Sequence, residues 1–344
     1  MKPAEGPEGA PTIRDIAWAA GVSKGTVSKV LNGREGVGEE TRERIRAIAG
    51  NLDYRPRAAA RSLSTGRTGI LGLPVPAAPE NNLSSLFWSG LAGALAREAA
   101  KLGFHILLLP AENPAAVSVR LESALKGRAL DGLILPAELS GPEVKELLVR
   151  TRIPHAFLGR IPGSSGPRVD FDNRQGARDL TLRILASGSR NPACIAGPAS
   201  LVYVRERTEG YQQALREQGS GPGRIYHAEY TSRSFLLTVK EVLKDPSVDG
   251  LFFGAADLYL PDSLEHLRKL REVSLLPGNF PVGAYGDFPL LERFYPGLIS
   301  VRQSLSEMAR TSLELLVSVL EGRTEEPREI LLPVTVVPTV SAGT

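Results

Sequence analysis

From Thr68 onward, short apolar runs of strand type alternate with helical stretches along most of the chain. The strand candidates are 70–75, 105–109, 132–135, 155–158, 193–196, 250–253 and 282–284, and helical patterns cover 90–101, 117–126, 176–186, 207–218 and 235–243. Strands that alternate with helices pair in parallel, because a parallel neighbour needs a crossover long enough to hold a helix. The unit recurs too often for one small sheet. The pattern therefore predicts an α/β body of two doubly wound parallel sheets side by side. Open α/β sheets bind ligands beyond the carboxyl ends of their strands, so two facing sheets make a cleft.

The segment before this body is all-α. Ile13, Ile16, Ala17 and Ala20 fall at helical spacing, with Thr12 as a capping candidate and Gly21 as a stop. Ser23 can cap a second helix whose apolar face is Val27, Val30 and Leu31; a third, over 39–52, turns Ile45, Ile48, Ala49 and Leu52 to one side. Two short helices joined by a glycine turn, with a third in support, describe a helix-turn-helix. Residues 1–67 hold 12 Lys and Arg against 8 Asp and Glu, whereas the rest holds 29 against 30. The positive excess thus sits wholly in the helical module, which suits a polyanionic partner. Residues 56–67, opened by Pro56 and closed at Gly66, read as about two helical turns, too short to be stable alone. The expected divisions are a disordered tail at 1–10, the helix-turn-helix at 11–55, a hinge at 56–67 and a body at 68–344. Within the body, 68–159 with 299–323 should form one subdomain, and 160–298 with 324–344 the other.

Several classes drop out. No run approaches about 18 apolar residues, so no membrane helix is expected. The first ten residues carry no apolar core of a signal peptide, which points to the cytoplasm. A single cysteine, Cys194, excludes a disulfide framework and a cysteine zinc site. The four histidines, at 105, 155, 227 and 266, show no metal-ligand spacing, and there is neither a GxSxG elbow nor a GxGxxG turn. No catalytic residue, metal or cofactor is expected, and an enzyme is disfavoured.

Thr12 to Asn32 reads TIRDIAWAAGVSKGTVSKVLN, and Thr41 to Leu63 reads TRERIRAIAGNLDYRPRAAARSL. Both closely resemble the DNA-binding head and hinge of the LacI family of bacterial transcription regulators. The likeness continues through Asp131-Gly132-Leu133-Ile134, Val169 to Asn173 with Gly176-Ala177, Arg207 to Tyr211, Tyr285 to Leu291, and Ser300 to Gln303 with Met308. It implies a body built like a periplasmic binding protein, in a repressor that binds a palindromic double-stranded operator as a homodimer, with affinity set by a small-molecule effector in the cleft. No extended C-terminal heptad pattern argues for a tetramer.

By resemblance, Lys24, Gly25 and Lys29 are the base readers on the second helix. Lysine can donate to guanine O6 and N7; Gly25 has no side chain to read with, a departure from the family. Thr12, Ser23, Thr26, Ser28 and Asn32, with Arg57 and Arg61 of the hinge, are expected at phosphates. Leu63 matches the hinge leucine that wedges into the minor groove and kinks DNA. For the cleft the resemblance offers Asp172 or its neighbour Asn173, Arg207, Gln303 and Asp287, plus Phe87 and Trp88 as aromatic platforms. Arg207 could grip a hydroxyl pair or a carboxylate with two donors. Three positions that are often polar in the family are Pro136, Ala256 and Gly286 here. Buried sugar hydroxyls without partners are costly, so the expected effector is less polar than a simple sugar, or acidic. The alternatives are a body that only dimerises and has lost effector response, and, less favoured, a solute-binding protein.

Overall fold

A computed structural model describes residues 11–31, 33, 35–54, 67–77, 85–161, 163, 166–257, 259–286, 288–323 and 329–337. The chain divides into two compact units, Met1–Thr68 and Gly69–Thr344. The expected tail at 1–10 and all but the last residue of the hinge lie outside the described residues.

In the first unit, α1 (Ile13–Ala19), α2 (Lys24–Leu31) and α3 (Glu39–Asn51) enclose a small core. Thr12 and Asp15 open α1 with a capping box. The Thr12 hydroxyl accepts from the Arg14 N–H at 3.3 Å, and the Asp15 carboxylate accepts from the Thr12 N–H at 2.7 Å. The Thr12 hydroxyl also donates to that carboxylate at 2.7 Å, and with the Thr12 N–H it holds the Asp15 carboxyl below its ordinary range. Gly21 makes the turn into α2 at φ +65°, a conformation that side chains disfavour. Ile16, Val27 and Ile45, one from each helix, are fully buried. At roughly 1.5–3 kcal/mol per buried aliphatic side chain, these three anchor the module.

The second unit holds two six-stranded sheets. The first runs β11 (Glu329–Leu332), β5 (Arg168–Phe171), β4 (His155–Leu158), β3 (Gly132–Pro136), β1 (Ile70–Pro76), β2 (His105–Ala111). The second runs β12 (Thr335–Val337), β10 (Ile299–Arg302), β9 (Val282–Ala284), β8 (Gly250–Phe253), β6 (Pro192–Ala196), β7 (Ile225–His227). Every pair is parallel except β10 with β12. Helices α4 (Leu86–Lys101) and α12 (Leu305–Leu320) pack on one face of the first sheet. On its other face lie α5 (Pro114–Lys126) and α6 (Pro142–Thr151). In the same way α7 (Asn173–Ala186) and α8 (Val202–Glu217) cover one face of the second sheet. Its opposite face carries α9 (Ser232–Val242), α10 (Pro261–Glu272) and the short α11 (Pro289–Glu292).

The strand pairings correct the expected subdomain boundaries. β5 is an inner strand of the first sheet, with β4 on one side and β11 on the other. β5 at 168–171 and β11 at 329–332 therefore belong with the first half, and β10 at 299–302 with the second. The chain crosses between the sheets at 171–173, 302–305 and 332–335. The cause is ladder pairing: β11 returns to complete the first sheet after α12, and the Asp172 N–H extends that ladder to the Leu332 carbonyl at 2.9 Å.

Candidate functional site

On the head, α2 buries Val27 and Val30 and leaves Lys24, Gly25 and Lys29 exposed. Ser23 caps this helix: its hydroxyl accepts from the Thr26 N–H at 3.1 Å and bonds the Thr26 hydroxyl at 2.9 Å. Ser28 is half-buried and Thr12 exposed. Two lysines and a bare glycine thus share the outer surface of a capped helix whose N-terminus carries partial positive charge, a surface suited to DNA. Asn32, Arg57, Arg61, Leu63 and Asp287 lie outside the described residues.

The second unit contains a cleft with walls from both sheets. The first sheet contributes Ser85, Phe87 and Trp88 at the start of α4, Glu138 on the turn after β3, and Asp170 and Phe171 at the end of β5. The second contributes Tyr203 and Arg207 of α8, Tyr230, Asp257, Tyr259 and Tyr285. Asn173 and Gln303 stand at two of the crossings. Strand ends and helix starts thus deliver the polar groups, as open α/β sheets do.

Arg207 is the centre of this arrangement. It is buried; its Nε donates to Asn173 Oδ1 at 2.9 Å and its Nη1 to the Gly254 carbonyl at 2.8 Å. The guanidinium lies 3.8 Å from the Tyr285 ring centroid and 4.9 Å from that of Tyr203. Nε and one N–H of Nη1 are engaged within the protein, so the second Nη1 N–H and the two of Nη2 remain for the expected two-donor grip on a ligand. Asn173 in turn donates to Asp170 Oδ1 at 3.2 Å. Asp170 also accepts from the N–H groups of Phe171 at 2.8 Å and Arg160 at 3.1 Å. Burial, helped by nearby Glu206, raises the Asp170 carboxyl to about 6 against these bonds.

Asp172 departs from expectation. It does not line the cleft; its carboxylate caps α7 by accepting from the Gln175 N–H at 3.0 Å. Its neighbour Asn173 is the one that faces the cavity. Trp88 is 5% exposed and meets Phe87 edge-on at 5.5 Å, so this pair serves the core of the first sheet and the cleft wall together.

Ala256 and Gly286, two of the positions without a polar group, touch one another. A β-carbon on Gly286 would stand 3.0 Å from the Ala256 β-carbon, at a backbone φ of +137°. An acid at 286 would be strained in both respects. Their polarity is replaced from elsewhere by Glu138, Asp170 and Asp257, none of which was among the expected contacts. Asp257 also reaches across the cleft. It accepts from the Ser85 hydroxyl at 2.5 Å and the Leu86 N–H at 2.7 Å, at the N-terminus of α4. A second cross-cleft link joins Arg160 Nη1 to Glu206 Oε1 at 2.7 Å.

Residues 12–57 match the model of bacterial regulatory proteins of the lacI family. Residues 78–244 match that of periplasmic binding proteins and the sugar binding domain of the LacI family, and 182–341 a periplasmic binding protein-like domain. The HTH-type transcriptional regulator CelR of Thermobifida fusca is 32% identical over 94% of this chain and 95% of its own length. The chain belongs to the LacI family. A LacI-family member of this build is a DNA-binding transcriptional regulator with an effector-binding body. The solved CelR–cellobiose complex superposes with a TM-score of 0.71 at 29% identity, covering 96% of this chain and 100% of that one. A lac repressor dimer bound to operator and the anti-inducer ONPF gives 0.80 at 22% identity, over 97% and 99%, and shares the fold. These relatives are regulators rather than enzymes. The cellobiose complex also overturns the expectation against a simple sugar. That expectation weighed the three lost polar positions of this LacI-family cleft without the carboxyls that take their place.

Proposed function

We propose that this regulator is a cytoplasmic repressor that binds a palindromic operator as a homodimer and changes its DNA affinity when a neutral sugar occupies the cleft. The observation that carries the reading is the cleft itself. Aromatic rings and hydrogen-bonding side chains converge from two sheets, and several of those side chains already bridge them. A ligand gripped by both walls biases their spacing, and a bias of roughly 1–3 kcal/mol changes operator affinity about 5–150-fold. Lys24 and Lys29 read bases, Ser23, Thr26, Ser28 and Thr12 meet phosphates together with Arg57 and Arg61 of the hinge, and Leu63 wedges into the minor groove. Asn173, Arg207, Gln303, Phe87 and Trp88 contact the effector. That a relative answers to cellobiose favours a glucoside of that kind.

The test is selection from random duplexes at fixed salt, then titration of the selected site with neutral sugars. The expected outcome is a palindrome of two major-groove half-sites around a deformable centre, with binding shifted at least five-fold by one sugar. Enrichment of a palindrome that no sugar affects would leave a regulator whose body only dimerises. No enriched sequence would refute specific operator reading by this head.

A further inference from the structure

Among the described residues, the cleft holds one carboxyl that its walls leave unpaired. Glu138 stands on the 3₁₀ turn Ala137–Leu139, directly after β3, and lines the cavity. Its carboxylate has no hydrogen-bond or ion-pair partner among the described residues. The other two acids are committed, Asp170 to two backbone N–H groups and Asn173, Asp257 to the start of α4. Arg207 has Nε and one Nη1 N–H committed within the protein. Pro136, where the family often has a polar group, lies two residues earlier on the same wall.

We propose that Glu138 is the specificity-determining contact of the cleft, its carboxylate accepting hydrogen bonds from two neighbouring hydroxyls of a neutral glycoside. The assignment rests on the reading of the cleft as a sugar site. A carboxylate has two acceptor oxygens and suits a vicinal diol, and bonds to a charged acceptor are about twice as strong as neutral ones. Among the described lining residues, three acids against one guanidinium disfavour an anionic ligand such as a sugar phosphate.

The surroundings of Glu138 supply a second signature. Burial pushes its carboxyl up to about 7, with Arg207 of α8 pulling it down and Asp170 of β5 pushing it up. The Tyr203 and Tyr230 hydroxyls that face it stay neutral, because burial raises both. A ligand that takes the carboxylate must then displace a proton. Between pH 6.5 and 8.5 the ionised fraction rises from about one quarter to nearly all, so affinity should rise about four-fold. Asp170, raised only to about 6, would add less than about 1.5-fold over the same window.

The experiment is calorimetric titration of the full chain with cellobiose, maltose, glucose, ribose and glucose 6-phosphate at pH 6.5 and 8.5. Wild type is compared with Glu138→Gln, and with Glu138→Ala as a second variant. The expected result is a neutral sugar that binds wild type about four-fold more tightly at the higher pH, while the phosphate binds poorly. Glu138→Gln should bind that sugar at least about ten-fold more weakly, with the pH gradient gone. Neutral-sugar binding that Glu138→Gln leaves unchanged, gradient included, overturns the assignment alone. A wild-type chain that binds none of the neutral sugars overturns the sugar reading and the assignment with it.

Discussion

Gly25 faces solvent on α2, and a β-carbon built there would meet only the Ser23 hydroxyl at 3.5 Å, an ordinary contact. Nothing in the packing demands glycine, so its effect falls on what the helix touches. Gly25→Ala should leave the head as stable or up to about 1 kcal/mol more stable, while changing base preference at one position of each half-site. Thermal melting and repeat selection check this; a lowered melting temperature would mean that the glycine is structural. The cleft residues differ in how openly the sequence displays them. Phe87, Trp88, Asn173, Arg207 and Gln303 stand in stretches whose spacing is characteristic. Glu138 sits on a three-residue turn that no periodicity marks, and Asp170 is a buried acid inside a four-residue strand. The tyrosines arrive from segments far apart in sequence, and only the fold brings them together.

At the scale of elements, α4 is capped twice. Ser85 caps it locally, its hydroxyl accepting from the Trp88 N–H at 3.2 Å, and Asp257 reaches its first turn from the other sheet. A carboxylate at a helix N-terminus is favourable by about 0.3–1 kcal/mol at exposed sites and up to about 2 when partly buried. Asp257 is 5% exposed, so the upper end applies. Asp257→Ala should therefore loosen the two walls, and small-angle scattering of the ligand-free protein should give a larger radius of gyration. An unchanged radius would show that this carboxylate does not hold the walls together. The same scale shows what patterning could and could not reveal. Strands of four to seven apolar residues, such as β1 and β3, are plain in the sequence. β7, β11 and β12 are only three or four residues long, lie at or near sheet edges and alternate weakly, so composition alone does not separate them from loops. Several helices begin three to five residues before the expected start: α5 at Pro114, not 117, because its first turn carries an asparagine cap and a proline, and α8 at Val202, not 207, because no side-chain cap marks its Val-Tyr-Val opening. Which sheet a strand joins is a long-range pairing, and the misassigned β5, β10 and β11 are strands next to the crossings.

The three crossings tie the halves of the whole molecule into one object with an order of assembly. The first sheet draws its early strands from residues before 172, yet α12 and β11 come from beyond 304. During synthesis that sheet waits, with the flank of β5 that β11 will occupy unpaired and the apolar face under α12 uncovered, while five of the six strands of the second sheet are made. An unpaired strand edge is a template for association with other chains. A chain cut after residue 304 should accumulate as aggregate even though it encodes ten of the twelve strands. Adding residues 305–337 back as a separate peptide should recover soluble protein, and full solubility of the shortened chain would contradict this order. A nascent regulator of this design is thus most exposed to misassembly just before residues 305–337 leave the ribosome.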